Sequence, residues 1–444
     1  MNGRVMGDGT DGPGTSPTSS SSTSGYVTRV VDRELDQLLD QLPAVLLDGP
    51  KGVGKTSTAL RRADHTWRLD VPAQRTVVAA DADVVTTSPA PVLVDEWQRV
   101  PPVWDAVKRA VDAGARPGSF LLTGSAATGA THSGAARIVG VRMRPLTLPE
   151  RGLSVPTVSL ADLLTGERAG VSGSSQLTLR EYTREIVASG LPGLRHLTGR
   201  ALRSQLDGYI DRIVERDVPE AGLQVRRPAT LLAWLRAYAA ATGQAVAYEK
   251  LRDAATAGQA DKPAKSTTIP YTDVLTRLRI IDPLEAWAPS MNRLARLTQG
   301  PRHHLADPAL AARLLGVDEA ALLKGESGTV HLPRDGVLLG GLFESLATLS
   351  VRVFAQANEA RVHHLRTYGG RHEVDLVVER GDGRVVAVEV KLTSTIDDED
   401  VRHLHWLGDQ IGDQLLDTVV LCTGPAAYRR PDGVAVIPLA LLGR

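Results

Sequence analysis

Cysteine is all but missing from this chain of 444 residues: Cys422 stands alone. One thiol excludes an internal disulfide and any zinc site built on cysteines, and it suits a reducing, cytoplasmic compartment. Net charge is lacking as well. Lys and Arg together number 51, as do Asp and Glu, so the surface as a whole has no excess charge with which to coat nucleic acid or membrane, although local basic faces stay open. No apolar run reads as long enough to cross a bilayer, which argues against a membrane partner. Residues 1–25, rich in Gly, Ser and Thr, have no apolar h-region and read as a disordered tail, not a signal peptide. Lysine is scarce, with 8 among the 51 basic residues. Arginine serves wherever charge alone suffices, so a retained lysine points to a need for a compact ammonium.

What is present is an ordinary globular composition, 42% hydrophobic and 23% charged, enough for two or three domains. Its most informative segment follows the apolar run Ala44–Leu47. Gly49, Pro50, Lys51, Gly52, Val53, Gly54, Lys55 and Thr56 fit the phosphate-loop pattern G-x-x-x-x-G-K-[ST] at every fixed position. The glycines let backbone N–H groups turn toward phosphate oxygens, Lys55 reaches the β- and γ-phosphates of ATP, and the Thr56 hydroxyl joins the shell of Mg²⁺. A helix beginning at Ser57 adds the positive end of its dipole. Lys55 is one of the few lysines.

Downstream, Pro91-Val-Leu-Val-Asp-Glu96 is an apolar strand ending in two acids. Asp95 suits the Mg²⁺ shell and Glu96 the polarisation of an attacking water; the alternative is a helix cap for the segment after Pro101. The strand Ser119–Ser125 also ends in small polar residues, which read either as a turn or as a γ-phosphate sensor at Thr123 or Ser125. An amphipathic helix over about 103–113 lies between these strands, as a parallel sheet with crossover helices requires.

The run Asp95-Glu-Trp-Gln-Arg-Val-Pro101, then Leu122-Thr-Gly-Ser125, Ala136-Arg-Ile138 and Pro145-Leu-Thr-Leu-Pro-Glu150, resembles the predicted AAA+ ATPases of bacteria and archaea that carry a C-terminal domain of unknown function, number 4143. Those proteins usually have Gly where this chain has Ala136. The resemblance offers Arg137 as a sensor or trans-acting finger; a surface salt bridge is the other reading. Ala188–Gly193 and Tyr209–Asp217 resemble the start of the family's second domain.

Three helical segments follow, at about 228–241, 247–256 and 266–279, then two apolar pieces that suit the wing of a winged helix. In that fold the third helix enters the major groove, so Lys265, Ser266, Thr267, Thr268, Tyr271, Thr272 and Arg277 would suit DNA contact; a winged helix used for protein packing is the alternative.

From Gly340 the register changes to a helix, three strands, a helix and a strand, the order of the restriction-endonuclease-like fold. With Gly381–Gly383 as the hairpin loop, paired positions sum to 764, which sets Asp375 opposite Glu389, with Lys391 on the same face. Asp375…Glu389-x-Lys391 matches D…(D/E)-x-K. Two carboxylates on adjacent strands suit Mg²⁺ or Mn²⁺, the lysine suits a water, Glu344 on the preceding helix suits a further metal ligand and Arg366 a phosphate. The family shows much the same spacing. Two readings stay open: a nuclease, or a nuclease-like fold kept for binding with its carboxylates as surface charge.

The expected architecture is α/β: a tail over 1–25, a P-loop AAA+ domain over 26–150, a connector over 151–177, a helical, winged-helix-like domain over 178–335 and a restriction-endonuclease-like domain over 336–444. The expected function is Mg²⁺-dependent ATP hydrolysis controlling a DNA-binding or DNA-cleaving domain. The alternative is a nucleotide-dependent switch or toxin-like regulator that acts on a protein partner or as a homo-oligomer.

Overall fold

The computed structural model describes residues 25–124, 137–168, 170–225, 227–255, 265–287, 300–324 and 337–444. The first sheet consists of β1 (Ala44–Asp48), β2 (His65–Arg68), β3 (Val92–Asp95), β4 (Phe120–Gly124) and β5 (Val139–Arg142), in the spatial order β2-β3-β4-β1-β5. Every pairing is parallel. The central strands are apolar on both faces because helices cover both, as parallel sheets require. On one side the helix Val30–Leu39 supplies Val31 and Leu35 to a cluster with Leu47, Val53 and Leu121; on the other, Val103, Trp104 and Val107 of the helix Pro102–Asp112 pack on Val94 and Leu122. This order brings the C-terminal ends of β1, β3 and β4 side by side, with Thr123 level with both Leu47 and Asp95.

The middle of the chain is helical. Helices Pro228–Ala240, Tyr248–Ala255 and Lys265–Arg277 stand where three were expected. The faces of the third differ from expectation: Tyr271 and Thr268 are buried, with Tyr271 edge-on to Trp234 at 6.5 Å between ring centres, so neither is presented to a DNA groove. Periodicity located this helix, but its partner, Trp234, selected the inward face. After the helix, 280–284 and 302–306 form an antiparallel ribbon, with bonds Ala306 N–H to Ile280 O (2.8 Å), Asp282 N–H to His304 O (2.8 Å) and the reciprocal pair between Leu284 and Arg302 (2.9 Å each).

The remaining strands are β6 (Val158–Ser159) and β7 (Gly173–Ser174) from the stretch expected as a connector, with β8 (Arg361–Arg366), β9 (Glu373–Glu379), β10 (Val385–Val390), β11 (Leu415–Cys422), β12 (Ala426–Arg429), β13 (Ala435–Pro438) and β14 (Leu442–Gly443). Seven strands run in the order β7-β12-β13-β11-β10-β9-β8, and β6 pairs separately with β14. The hairpin β9–β10 has the expected register: Val385 faces Glu379 and Val388 faces Leu376. Ahead of it the helix Val337–Ala357 is 21 residues long and holds an 18-residue window with a mean hydropathy of 1.5, long and apolar enough by composition to span a bilayer. That corrects the expectation that no such run exists. Its largely apolar surface is explained by burial between the middle helices and the sheet: Leu342, Phe343, Leu346, Val351 and Phe354 all join one core running from Leu148 to Leu442.

Candidate functional sites at the two ends of one ribbon

The phosphate loop leaves the end of β1 and enters the helix Lys55–Leu60. Gly49 admits no side chain, since a Cβ there would stand 2.3 Å from Met143 O, and Gly54 holds φ at 103°, open to glycine. Lys55 is buried with its Nζ donating to Gly49 O (2.7 Å) and Pro50 O (2.9 Å). Burial lowers its pKa to about 8 against the pull of Glu96, Asp48 and Asp95. The loop carbonyls are thus stand-ins for the anionic oxygens that an ammonium at this depth needs.

Asp95 receives two hydroxyls on one oxygen: Thr56 Oγ1 donates to Oδ1 at 2.7 Å and Thr123 Oγ1 at 2.5 Å. A buried carboxylate flanked by hydroxyls is an oxygen donor set that fits Mg²⁺. Glu96, the next residue, has φ 60° and ψ 44°, a left-handed conformation for a non-glycine residue, and its Oε2 accepts from Gln98 Nε2 at 2.6 Å. Such strain is characteristic of functional positions. Ser125 lies outside the described residues. Arg137 donates from Nε to Asp112 Oδ1 at 2.6 Å on the surface.

Several contacts of this loop had no sequence signal. Lys51 Nζ pairs with Asp217 Oδ1 at 2.5 Å, and Tyr209 donates to Lys51 O at 3.0 Å. Arg29 Nη1 donates to Val53 O at 2.9 Å. Beside Gly54 and Ser57 lies a cavity of about 540 Å³ that Tyr26, Arg61 and Pro192 also line, with the Arg61 guanidinium 4.5 Å over the Tyr26 ring.

At the C-terminal site the structure brings Glu344, Asp375, Glu389 and Lys391 together, but with a residue that no motif announced. Arg302, from the ribbon, is buried; its Nη1 donates to Asp375 Oδ1 at 2.9 Å and to Glu344, and its Nη2 donates to Glu373. Asp375 Oδ2 accepts from Val390 N–H at 2.8 Å. Lys391 Nζ stands 3.1 Å from Glu389 Oε2, and the buried Glu389 is also hydrogen-bonded to Asp375. Burial pushes Asp375 up, but Arg302, the Val390 N–H and Lys391 hold it below the usual range. Glu389 goes well up through burial and the neighbouring Asp375, and Glu344 rises to about 8, chiefly through burial. Arg302 and Lys391 both act on Asp375, so Asp375 is held down while Glu389 and Glu344, less compensated, are pushed up. Arg366 lies at the rim, 3.9 Å from Glu373.

Among the described residues no group of three or more His, Cys, Asp or Glu is arranged to hold a metal ion. Glu344, Asp375 and Glu389 do not fit Mg²⁺ or Mn²⁺ in this arrangement because a guanidinium already lies among them.

The strand order, the loop and the hydroxyl–carboxylate cluster give the first sheet and its helices the form of a P-loop domain. Residues 41–151 match the model of an AAA domain, residues 179–321 a domain of unknown function, DUF8612, and residues 339–442 the domain of unknown function DUF4143. The chain thus combines an AAA domain with a C-terminal DUF4143 domain, as its motifs suggested. It is similar to two proteins called uncharacterized, Mb2031c of Mycobacterium bovis and Rv2008c of Mycobacterium tuberculosis; each is 26% identical over 364 residues, covering 80% of this chain and 71% of the relative. Among solved structures it resembles the Walker-type ATPase paby2304 of Pyrococcus abyssi, with a TM-score of 0.40 and 17% identity over 64% of this chain and 94% of that one.

Proposed function

We propose that the chain hydrolyses ATP and that its nucleotide state controls a C-terminal DNA-binding domain. The observation that supports control is the path of a single segment. Arg279, where the third helix gives way to the ribbon, donates to Asp48 at 2.7 Å, directly before the phosphate loop, and Arg302, on the return strand, lies among the C-terminal carboxylates.

In this reading residues 49–57 bind the phosphates and Lys55 holds the β- and γ-oxygens. Thr56 and Asp95 would hold Mg²⁺, which supplies charge neutralisation when bound. Glu96 orients the attacking water, Thr123 with Ser125 reports the γ-phosphate, and Arg137, on the surface beside Asp112, serves as a trans-acting finger. The units are the P-loop domain over 26–150, the connector over 151–177, the helical domain over 178–335 with its winged-helix-like ribbon, and the restriction-endonuclease-like unit over 336–444. Its helix, three strands, helix and strand come in that fold's order. Arg366 at the rim suits a DNA phosphate. DNA cleavage through Asp375, Glu389 and Lys391 requires that Arg302 leave.

Arg302 also favours a second reading, in which the C-terminal unit cuts nothing and the nucleotide regulates a protein partner or a second copy of the chain. Nicking of supercoiled DNA by wild type, Asp375→Ala and Lys55→Ala, each with and without ATP, separates the two. Nicking lost in Asp375→Ala supports the DNA reading; absence of both DNA binding and nicking under every nucleotide overturns it.

A further inference from the structure

We propose that Arg302 is an internal counter-cation that keeps divalent metal out of the C-terminal carboxylate site. This rests on the reading of Asp375 and Glu389 as latent metal ligands.

The geometry is exclusive. Three carboxylates, Glu344 from the helix and Glu373 and Asp375 from β9, converge on one guanidinium from outside the C-terminal sheet. A Mg²⁺ or Mn²⁺ ion binding Asp375 would need its oxygens at about 2.1 Å. The Arg302 Nη1, at 2.9 Å from Asp375 Oδ1, occupies that volume. Each Asp375 oxygen already has a donor, Arg302 at Oδ1 and Val390 N–H at Oδ2. Glu389 lies outside the set that the guanidinium holds and is bonded instead to Lys391 and Asp375. The fit is also prepared by sequence. Gly243 packs against Glu344, so that a Cβ would stand 3.0 Å from Oε2, and Gly341 lies so close to Thr242 that a Cβ would stand 2.7 Å from its carbonyl oxygen.

The ribbon is tied at both ends. Asp282 grips Arg142 (3.2 Å) and Arg144 (2.9 Å), which lie in and just after β5 of the first sheet, and Arg352 (3.1 Å) on the C-terminal helix. Residues 285–287 then join the edge of β8, with His364 N–H donating to Glu285 O at 3.0 Å and Trp287 N–H to His364 O at 2.6 Å. Arginine suits this task, since its planar fork spans three carboxylates where an ammonium cannot.

The test is direct Mn²⁺ binding to the full chain without nucleotide, read by loss of the free-ion electron paramagnetic resonance signal. Wild type is compared with Arg302→Met and Arg302→Lys, each with and without Asp375→Asn. The lysine variant keeps the charge should the methionine variant not fold, as circular dichroism will show. We expect each folded Arg302 variant to bind Mn²⁺ at least about tenfold more tightly than wild type, a change of about 1.4 kcal/mol, with Asp375→Asn abolishing the gain. Equal, Asp375-dependent binding in wild type and variants overturns the role of Arg302 and leaves the metal reading standing. No Asp375-dependent binding in any folded variant overturns both.

Discussion

Arg279 reaches from the end of the third middle-domain helix to Asp48, with Nη2 2.5 Å and Nε 2.7 Å from the same carboxylate oxygen. Asp48 closes β1 and directly precedes Gly49, so the last residue before the phosphate loop is held by a domain far along the chain. Arg279 sits at φ 61°, strained for a non-glycine residue. This pair makes the position of the loop depend on the middle domain. It sets the expectation that Asp48→Asn and Arg279→Gln, each costing about 1–2 kcal/mol, will cost less together than the sum in a double-mutant cycle by thermal unfolding. Simple additivity would remove the coupling.

Lys55→Ala should abolish ATP binding. Glu96→Gln should keep binding and reduce turnover by about 10²–10⁴-fold, the usual range for a positioned base. Equilibrium binding of a fluorescent nucleotide and steady-state phosphate release separate the two, and wild-type hydrolysis in both variants would remove the assignment.

Gly49→Ala places a methyl group 2.3 Å from Met143 O, where backbone must move. The expected cost is about 1–3 kcal/mol, together with weakened nucleotide binding, because the loop shifts with its first residue. Gly52, with open space around it, should tolerate the same change better sterically despite its φ of 77°. Thermal midpoints and nucleotide titrations of the two variants give the comparison.

Asp282 is buried among Arg142, Arg144 and Arg352, which hold it well below the usual carboxylate range despite burial. Asp282→Asn leaves those guanidinium groups without their shared anion; burial already lowers Arg142 to about 9 and Arg352 to about 10. A loss of about 3–5 kcal/mol is expected, as for breaking one side of a buried ion pair. A denaturant midpoint unchanged from wild type would show that the cluster carries no stability.

Acid should destabilise the protein through His304 and His364. Burial lowers His304 to about 3, and neither of its ring nitrogens has a partner; burial and then Arg302 lower His364 to about 4. In the unfolded chain both titrate near 6.5. Above that value neither state binds the proton and nothing is lost; below it the unfolded state gains protons that the folded state refuses, until the folded values are reached. Between pH 6.5 and 5 each should cost about 2 kcal/mol. His304→Gln should flatten this slope in urea unfolding at several pH values, and an unchanged slope would exclude His304 as a source.

The local chemistry of the phosphate loop was legible in the sequence because it is written in consecutive residues: Gly49, Gly54, Lys55 and Thr56 do their work within one turn of chain. The hairpin of β9 and β10 was legible too, since a short loop and a period of two leave one register, and that register set Asp375 beside Glu389. Helix positions followed from apolar spacing, but their faces did not. Tyr271 turned inward because Trp234 lies there, and the helix Val337–Ala357 is mostly apolar because one core encloses most of it, while Glu344 and Arg352 turn to ion pairs. Nothing local marks Arg302 or Arg279 among so many arginines. A side chain acquires a role of that kind only when segments distant in sequence converge, and burial then decides the outcome: a guanidinium out of water, held by Glu344, Glu373 and Asp375, helps keep Asp375 below the usual carboxylate range while burial raises Glu344. The sequence by itself determined that this chain has a phosphate loop and a paired-carboxylate hairpin. Only the tertiary structure decided that one ribbon touches both, and that the carboxylates already hold a cation of the protein's own.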